Sequence, residues 1–423
     1  MRVLIINTSE KTGGAAVAAR RLTAALSSNG VQASMLVMKK ESDDPAVEHL
    51  GYGPLQRWRF VWERLVVWLY TRWPRKQLFT IDIANTGNDI TGRRDFREAD
   101  VVHLHWVNQG MLSTSNIKKI LKSGKPVVWT MHDAWPATAI CHYTRGCARF
   151  KTRCQQCPLL PHPGNNDLAA RTWHRKQQML SNELVYFVTC SRWLEGFAKQ
   201  SALLRGHRIK SIPNCIDVQH FRPIDRQAAR QAAGLPAEGR IILFVSQRVT
   251  DERKGMRYFI EAINRLTDEH PEWLENTGVA VLGGSGDEVA VQLPLKTYPL
   301  GYVGDEQQIV NIYNAADVFV IPSMEDNLPN TIMEAMACGV PSVGFKVGGI
   351  PEMIEHQKNG YVAEPRRSSD LAHGISWVLD EADPAQLREA CLRKVAHNYS
   401  QSSVAMRYIE VYNEAIAMKH FRL

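Results

Sequence analysis

The sequence predicts an α/β protein of two Rossmann-like domains, each a parallel sheet wrapped by helices. Three observations carry this reading. A chain of 423 residues is too long for one ordinary core and asks for two. Short runs rich in Val, Ile and Leu alternate with helix-forming stretches, as expected of strands buried on both faces and joined by right-handed crossovers. The alternation then occurs a second time, after a turn-rich stretch from Arg205 to Pro236.

Taken in order, residues 3–6 read as a strand, 15–28 as a helix and 34–37 as a strand. Strands are expected again at 101–106, 127–131 and 184–189, separated by helix-like segments. The second half repeats the scheme with strands at 241–245, 279–282, 318–321 and 341–345 and a helix over 255–266. The junction falls in the turn-rich stretch, giving domains 1–212 and 213–401 and a last element, 402–423, helical from about Ser402 to Met418.

Hydrophobic content of 44% and charged content of 22% are ordinary for a globular protein. No apolar run reaches the 18 or so residues that a transmembrane helix needs. The opening strand-like run is too short for a signal-peptide core, so a cytoplasmic location is expected. The net charge of +8 favours an anionic partner: a nucleotide diphosphate, a lipid surface or nucleic acid.

The segment from Tyr313 to Gly344 is the most informative. An apolar strand is followed by a loop with Glu325 and Asp326, then by a helix carrying Glu334 and stopped by Gly339 and Pro341. In an open α/β sheet, ligands bind outside the carboxyl ends of the strands, facing helix N-termini. Acids placed there accept hydrogen bonds from sugar hydroxyls; in an ordinary crossover they are merely solvated. Gly13 and Gly14 follow the first strand, and Gly283-Gly284 another, where glycine lets backbone N–H groups approach an anion or simply makes a tight turn. Arg248 and Lys254 follow the strand at 241–245; together they can balance a diphosphate, and alone each reads as a surface cation. Arg253, between them, reads as the plain surface cation of the three. His132 ends a strand and can hydrogen-bond a hydroxyl, whereas His103 and His105 alternate along a strand and read as buried or supporting groups.

In family order, these strings resemble retaining glycosyltransferases of family 4, which have the GT-B fold. The carriers are the Gly13-Gly14 loop, Thr130-Met131-His132-Asp133, the linker Ile212-Pro213-Asn214-Cys215-Ile216-Asp217, the Arg248…Lys254-Gly255 pair, and the segment ending Glu334-Ala335-Met336-Ala337. Two departures stand out. Cys215 occupies a usual Gly position, and the family's first Glu, eight positions before Glu334, is Asp326, with Glu325 one step earlier.

The resemblance implies two domains facing each other across a cleft, with the C-terminal helix returning to the N-terminal domain. It implies transfer of a hexose-type sugar, with retention, from a UDP- or GDP-sugar to a saccharide acceptor. That acceptor is expected to be lipid-linked, in surface polysaccharide assembly as in family members with a Cys-rich insert. His132, Arg248, Lys254 and one of Asp326 or Glu325 would form the catalytic centre. Gly13, Gly14 and Gly284 would lie along the diphosphate, Tyr302 or Val303 against the base, and Glu334 on the ribose. Asn327, Leu328, Asn330 and Thr331 would bring main-chain N–H groups to the phosphates. No catalytic cofactor is implied, and the absence of an Asp-x-Asp motif argues against a catalytic metal.

Cys141, Cys147, Cys154 and Cys157 cluster just after His132-Asp133-Ala134-Trp135. They read as a structural zinc site, with free thiols the alternative. Residues 57–76 carry Trp58, Trp62, Trp68 and Trp73 with six basic side chains and one acid, Glu63. That suits an anionic membrane surface, hence a peripheral association, or else a core-packing helix with a basic face. Two further readings stand beside the transferase: a nucleotide-sugar epimerase or phosphorylase of the same fold, and a zinc-stabilised basic protein that binds nucleic acid. The second leaves the two nucleotide-type halves unexplained, and no nucleic-acid partner is expected on the leading reading.

Overall fold

A computed structural model describes residues 1–51 and 53–420. The chain divides into two compact units, Met1–Cys215 with Gln401–Leu423, and Ile216–Ser400.

The first unit is built on seven parallel strands: β1 (Arg2–Ile6), β2 (Gln32–Val37), β3 (Val47–His49), β4 (Val101–Leu104), β5 (Val127–Met131), β6 (Tyr186–Thr189) and β7 (Arg208–Ser211). Their order is β3-β2-β1-β4-β5-β6-β7. β4, β5 and β6 are buried throughout, which is why they read as unbroken apolar runs. The two-residue period of β1 serves both faces. Leu4 and Ile6 join one core, whereas Val3 and Ile5 join the other, which Tyr408 and Tyr412 of the C-terminal helix Gln401–His420 complete. Helix α1 (Gly14–Ser28) follows β1, and α2 (Pro54–Thr71) follows β3.

The second unit has six parallel strands: β8 (Arg240–Arg248), β9 (Thr277–Gly284), β10 (Lys296–Gly301), β11 (Val318–Ile321), β12 (Ser342–Phe345) and β13 (Gly360–Ala363). Their order is β10-β9-β8-β11-β12-β13. The sheet is thus laid down outward from β8 in one direction and then from β11 in the other, so the topological switch point lies between β8 and β11.

Every strand expected from sequence is found. Four are additional, and all four are edge strands: β3, β7, β10 and β13. Edge strands are covered on fewer sides and need no apolar run. β7 is Arg-Ile-Lys-Ser, and β10 contains Pro299, which an interior strand would not tolerate.

Candidate active site

In the second unit the switch point brings two loops into contact. Gly255 has φ +73°, and a Cβ there would stand 1.8 Å from the Pro322 carbonyl oxygen. Only glycine lets the loop after β8 lie this close to the loop after β11. The residue before it, Lys254, consequently reaches Asp326: Nζ donates to Oδ2 at 2.6 Å. Ser323 Oγ donates to the same oxygen at 3.3 Å. Gly348 pins the far side, since at φ +55° a Cβ would meet the Asp326 carbonyl oxygen at 1.6 Å.

Asp326 is buried. Burial alone would raise its pKa, but the charges of Lys254 and Arg253 and the hydrogen bonds from Lys254 and Ser323 outweigh it, so the carboxyl is held below its usual range. The buried acid is therefore an anion that fixes Lys254 at the switch point. Arg253 does not sit on the surface as a plain cation. Its Nη1 donates to the Glu325 carbonyl oxygen at 3.1 Å and lies 4.0 Å from Asp326 Oδ2, and its Nη2 reaches Asp251 at 3.4 Å. The Arg253 backbone explains this, because Met324 N donates to its carbonyl oxygen at 2.8 Å.

Glu325 and Asp326 thus occupy different settings. The Asp326 side chain is buried and ion-paired, and Glu325 is half-buried. Glu334 is half-buried on the helix Asn330–Ala337, where Oε2 accepts a hydrogen bond from the Tyr313 hydroxyl at 2.9 Å. Asn327 and Leu328 are buried in the connecting loop, and Asn330 and Thr331 open the helix. Arg248 is exposed at the end of β8. Gly284 ends β9, yet the steric demand falls on its neighbour: a Cβ on Gly283, at φ +136°, would be 1.7 Å from the Ser246 carbonyl oxygen. Tyr302, 73% exposed, and half-buried Val303 follow β10. The acid loop, Lys254, Arg248, Gly284 and Tyr302 end or follow strands of one parallel sheet at its carboxyl edge, where Lys254 touches Asp326 directly.

The first unit has its own switch point, between β1 and β4. Asn7 and Thr8 bind the backbone of Trp106 there, by Trp106 N to Asn7 Oδ1 at 2.9 Å and Thr8 N to the Trp106 oxygen at 2.8 Å. Gly13, at φ +92°, turns the chain into α1, and Gly13 and Gly14 are both exposed at that helix start. His132 follows β5. Its Nε2 is 2.9 Å from His105 Nδ1, and Cys190 Sγ lies 3.5 Å from its Nδ1. His103 bridges Thr130 Oγ1 at 2.7 Å and the Tyr412 hydroxyl at 2.9 Å. Burial pushes His132 down to about 4 and His103 to about 3, and holds His105 low, so this cluster is neutral near pH 7. A neutral His105–His132 pair shares one proton along its contact, so each ring fixes the other's tautomer.

Asp133 is committed elsewhere. It accepts from Trp106 Nε1 at 3.0 Å, from His142 Nδ1 at 2.8 Å and from Trp135 N at 2.8 Å. It therefore anchors the Cys-rich segment to the strand ends. Cys141, Cys147, Cys154 and Cys157 line one common cavity and are free thiols. Burial raises the Cys141 and Cys154 thiols to about 12 and raises Cys157 as well. Among the described residues no three His, Cys, Asp or Glu side chains are set at metal-ligand geometry. The donor set is that of a structural zinc site.

Residues 12–220 match the family model described as Glycosyltransferase Family 4, and residues 239–381 match the model described as Glycosyl transferases group 1. Each unit thus matches a glycosyltransferase domain model. Among curated relatives of these domains, D-inositol 3-phosphate glycosyltransferase 2 of Catenulispora acidiphila is 29% identical over 222 residues, 49% of this chain and 51% of that protein. A D-inositol 3-phosphate glycosyltransferase of Pseudarthrobacter chlorophenolicus is 24% identical over 96% of this chain and 92% of its own length. For the first of these, as for several other relatives, the chain spans about half the length of the protein it matches. Two solved glycosyltransferase structures share the GT-B fold across nearly the whole chain. Sucrose-phosphate synthase from Thermosynechococcus elongatus is similar at TM-score 0.68 and 18% identity, covering 99% of this chain and 100% of its own. Anabaena HepE, solved with UDP and glucose, is similar at 0.64 and 16% identity, covering 98% and 100%.

The residues missed or misjudged from sequence are those that support others. Arg253 could have been flagged by its place beside Lys254-Gly255. Gly348-Gly349 carried a signal as a glycine pair separated by two residues from the strand before it. Nothing in the sequence announced Tyr313, Ser323 or the pairing of His105 with His132, because each depends on which loops the sheet order brings together.

Proposed function

We propose that this protein transfers a hexose-type sugar from a nucleotide diphosphate-sugar to a saccharide acceptor, with retention of anomeric configuration. The observation that carries this is the ion pair of Lys254 with buried Asp326 at the β8–β11 switch point, in the loop that leads into the helix carrying half-buried Glu334. Dinucleotide-type ligands occupy that place in doubly wound sheets. Lys254 held by an anion is a preorganised charge for a leaving diphosphate, and exposed Arg248 adds a second one. Glu334, aligned by Tyr313, accepts from vicinal hydroxyls such as those of a ribose. Glu325, less buried than Asp326, is the acid we assign to the donor sugar, with Asp326 assigned to the positioning of Lys254. His132, neutral and oriented by His105, would hydrogen-bond a sugar hydroxyl through Nδ1 in exchange for its long contact with Cys190. The family resemblance supports a retaining course without a carboxylate nucleophile, in which the protein contributes positioning and electrostatics.

The donor is proposed to be a UDP-sugar, since HepE was solved with UDP-glucose and with UDP. The acceptor is proposed to be a lipid-linked saccharide of surface polysaccharide assembly. A structural zinc held by Cys141, Cys147, Cys154 and Cys157 completes the proposal, because it would turn four clustered thiols, two of them buried, into a cross-link for a segment with little secondary structure.

The test is a panel of UDP- and GDP-sugars assayed for thermal stabilisation and for slow donor hydrolysis. One donor should raise the melting temperature of the wild type and be hydrolysed. Glu334→Gln should weaken its binding roughly tenfold to hundredfold, the worth of a hydrogen bond to a charged group. Stabilisation by no nucleotide sugar, or by nucleic acid in its place, would overturn the reading.

A further inference from the structure

Helix α2 is built inside out. Its inner face carries polar groups: Glu63 and Arg64 are buried, Glu63 Oε1 accepts from Ala84 N at 2.8 Å, and Arg64 donates to the Leu78 carbonyl oxygen at 2.6 Å and to Asp82 Oδ2 at 3.1 Å. Its outer face is apolar. Leu55, Trp58, Trp62, Leu65, Trp68 and Leu69 recur at helical spacing, and each is at least 40% exposed. A surface helix of a soluble domain has the reverse arrangement. The Arg64–Asp82 ion pair and these hydrogen bonds tie down the inner side of α2, and the tryptophan side is left outward. A contiguous apolar patch of this kind marks an interaction site.

The composition of the patch selects its partner. Trp58 and Trp62 stack with ring centroids 5.6 Å apart. Cations border the stripe: Arg57 and Arg72 are exposed, Arg72 lies over the Trp68 ring at 4.4 Å, and Arg171 from the helix Leu168–Leu180 donates to the Tyr70 hydroxyl at 3.0 Å. The one acid between Pro54 and Lys76 is Glu63, which is turned inward. The side chains of Arg75 and Lys76 lie outside the described residues. Indole rings and aliphatic side chains rimmed by arginine, with no exposed acid on the helix itself, match the boundary between acyl chains and anionic headgroups. A second copy of the chain would bring Arg57 and Arg72 against the same like-charged rim.

We propose that the outer face of α2 docks this protein onto an anionic lipid bilayer, with α2 lying in the plane of the interface. The contact is reversible, because one amphipathic helix with a few cations is an interfacial anchor and not a membrane span. No helix among the described residues is long and apolar enough to cross a membrane. This inference stands independently of the transfer reaction, since the residues concerned lie in the other unit from Lys254 and Asp326.

The experiment is vesicle flotation of the whole protein with phosphatidylcholine alone and with phosphatidylcholine mixed with phosphatidylglycerol. Wild type should float with the mixed vesicles, shift its tryptophan emission to the blue and lose binding as salt is raised. Arg57→Gln with Arg72→Gln should lower the partition coefficient roughly fivefold per charge removed. Trp58→Ser with Trp62→Ser and Trp68→Ser should abolish flotation while leaving the circular dichroism spectrum unchanged. Should that triple variant fail to fold, Trp58→Ser, at the most exposed of the three, serves with a partial loss expected. Wild type that stays unbound with anionic vesicles overturns the proposal. So does a tryptophan variant that floats like wild type, or a concentration-dependent dimer that the tryptophan changes dissolve.

Discussion

At the scale of single residues, the arrangement that organises the candidate site is the contact of Lys254 with Asp326. Lys254→Ala removes a preorganised charge and should lower turnover about a hundredfold to a thousandfold; it also leaves the buried Asp326 carboxylate with only Arg253 and Ser323 beside it, so a loss of stability is expected too. Asp326→Asn leaves a half-buried ammonium without its anion and should cost stability as well, on the order of 3 kcal/mol by denaturant titration. If both variants lose activity alike and neither loses stability, Asp326 contacts the donor and does not position Lys254. The histidine cluster gives a pH prediction. His103, His105 and His132 have folded-state pKa values pushed down by burial, to about 3 for His103 and about 4 for His132. The unfolded chain therefore binds protons that the folded chain refuses. Stability from these rings is fully present above the ordinary histidine value near 6.5 and is lost as pH falls from there toward about 4. The slope should approach 1.4 kcal/mol per pH unit for each histidine involved. His142 opposes it: burial would lower its pKa, but the adjacent Asp133 raises it, so its contribution is present at low pH and lost as pH rises. Melting temperatures between pH 7 and pH 5 should fall in the wild type and fall less in His103→Phe.

At the scale of elements, what decides the site is how closely loops approach. Gly255→Ala forces a methyl group into the Pro322 carbonyl and should separate the two loops, weakening donor binding and stability together. Gly13→Ala meets open space and bears only the strain of φ +92°, so a stability loss of about 1 kcal/mol is expected, measured by thermal denaturation. The contrast explains what could be read from the sequence. Central strands are legible because burial on both faces demands apolar runs, and Val127–Met131 and Val318–Ile321 end where those runs end. Edge strands such as Arg208–Ser211 were not legible, since half-exposed positions accept Arg and Lys. At the site, Lys254 and the acid loop could be picked out as chemistry. Their pairing could not, because it follows from β8 lying beside β11, a fact of sheet order. The Cys-rich segment sits between these cases. Its four thiols line one cavity, and metal analysis of chain purified under reducing conditions without chelator should find one zinc per chain. Cys154→Ser with Cys157→Ser should lose that zinc and lower the melting temperature. Zinc-free protein of unchanged stability would leave the thiols as apolar core.

At the scale of the whole molecule, the chain enters the second unit once and leaves it once, and the two passages are adjacent. Ile216 N donates to the Tyr399 carbonyl oxygen at 2.8 Å, and Ile216 and Ser400 form a parallel bridge. The second unit is thus closed at its own ends, the condition under which a domain can be inserted or excised. Its core, from Ile242 and Phe244 through Leu387, draws on residues between 216 and 400. The first unit is not self-contained in sequence. Without residues 401–423 it would expose the face that Val404, Tyr408, Val411 and Tyr412 cover, and would strip the hydroxyl partners from Thr130 and His103. The two halves should therefore respond differently to dissection. A fragment of residues 216–400 should fold cooperatively and be stabilised by the same nucleotide sugar as the full chain, because Lys254, Asp326, Glu334 and Tyr313 all travel with it. A fragment of residues 1–215 should remain unfolded or aggregate until a peptide of residues 401–423 is supplied. Within the full chain, Tyr412→Phe tests the same dependence at one atom. It leaves His103 Nδ1 buried without its partner and should cost about 1–3 kcal/mol. If residues 1–215 fold alone with the stability of the full chain, the C-terminal helix is a cover and not part of the core.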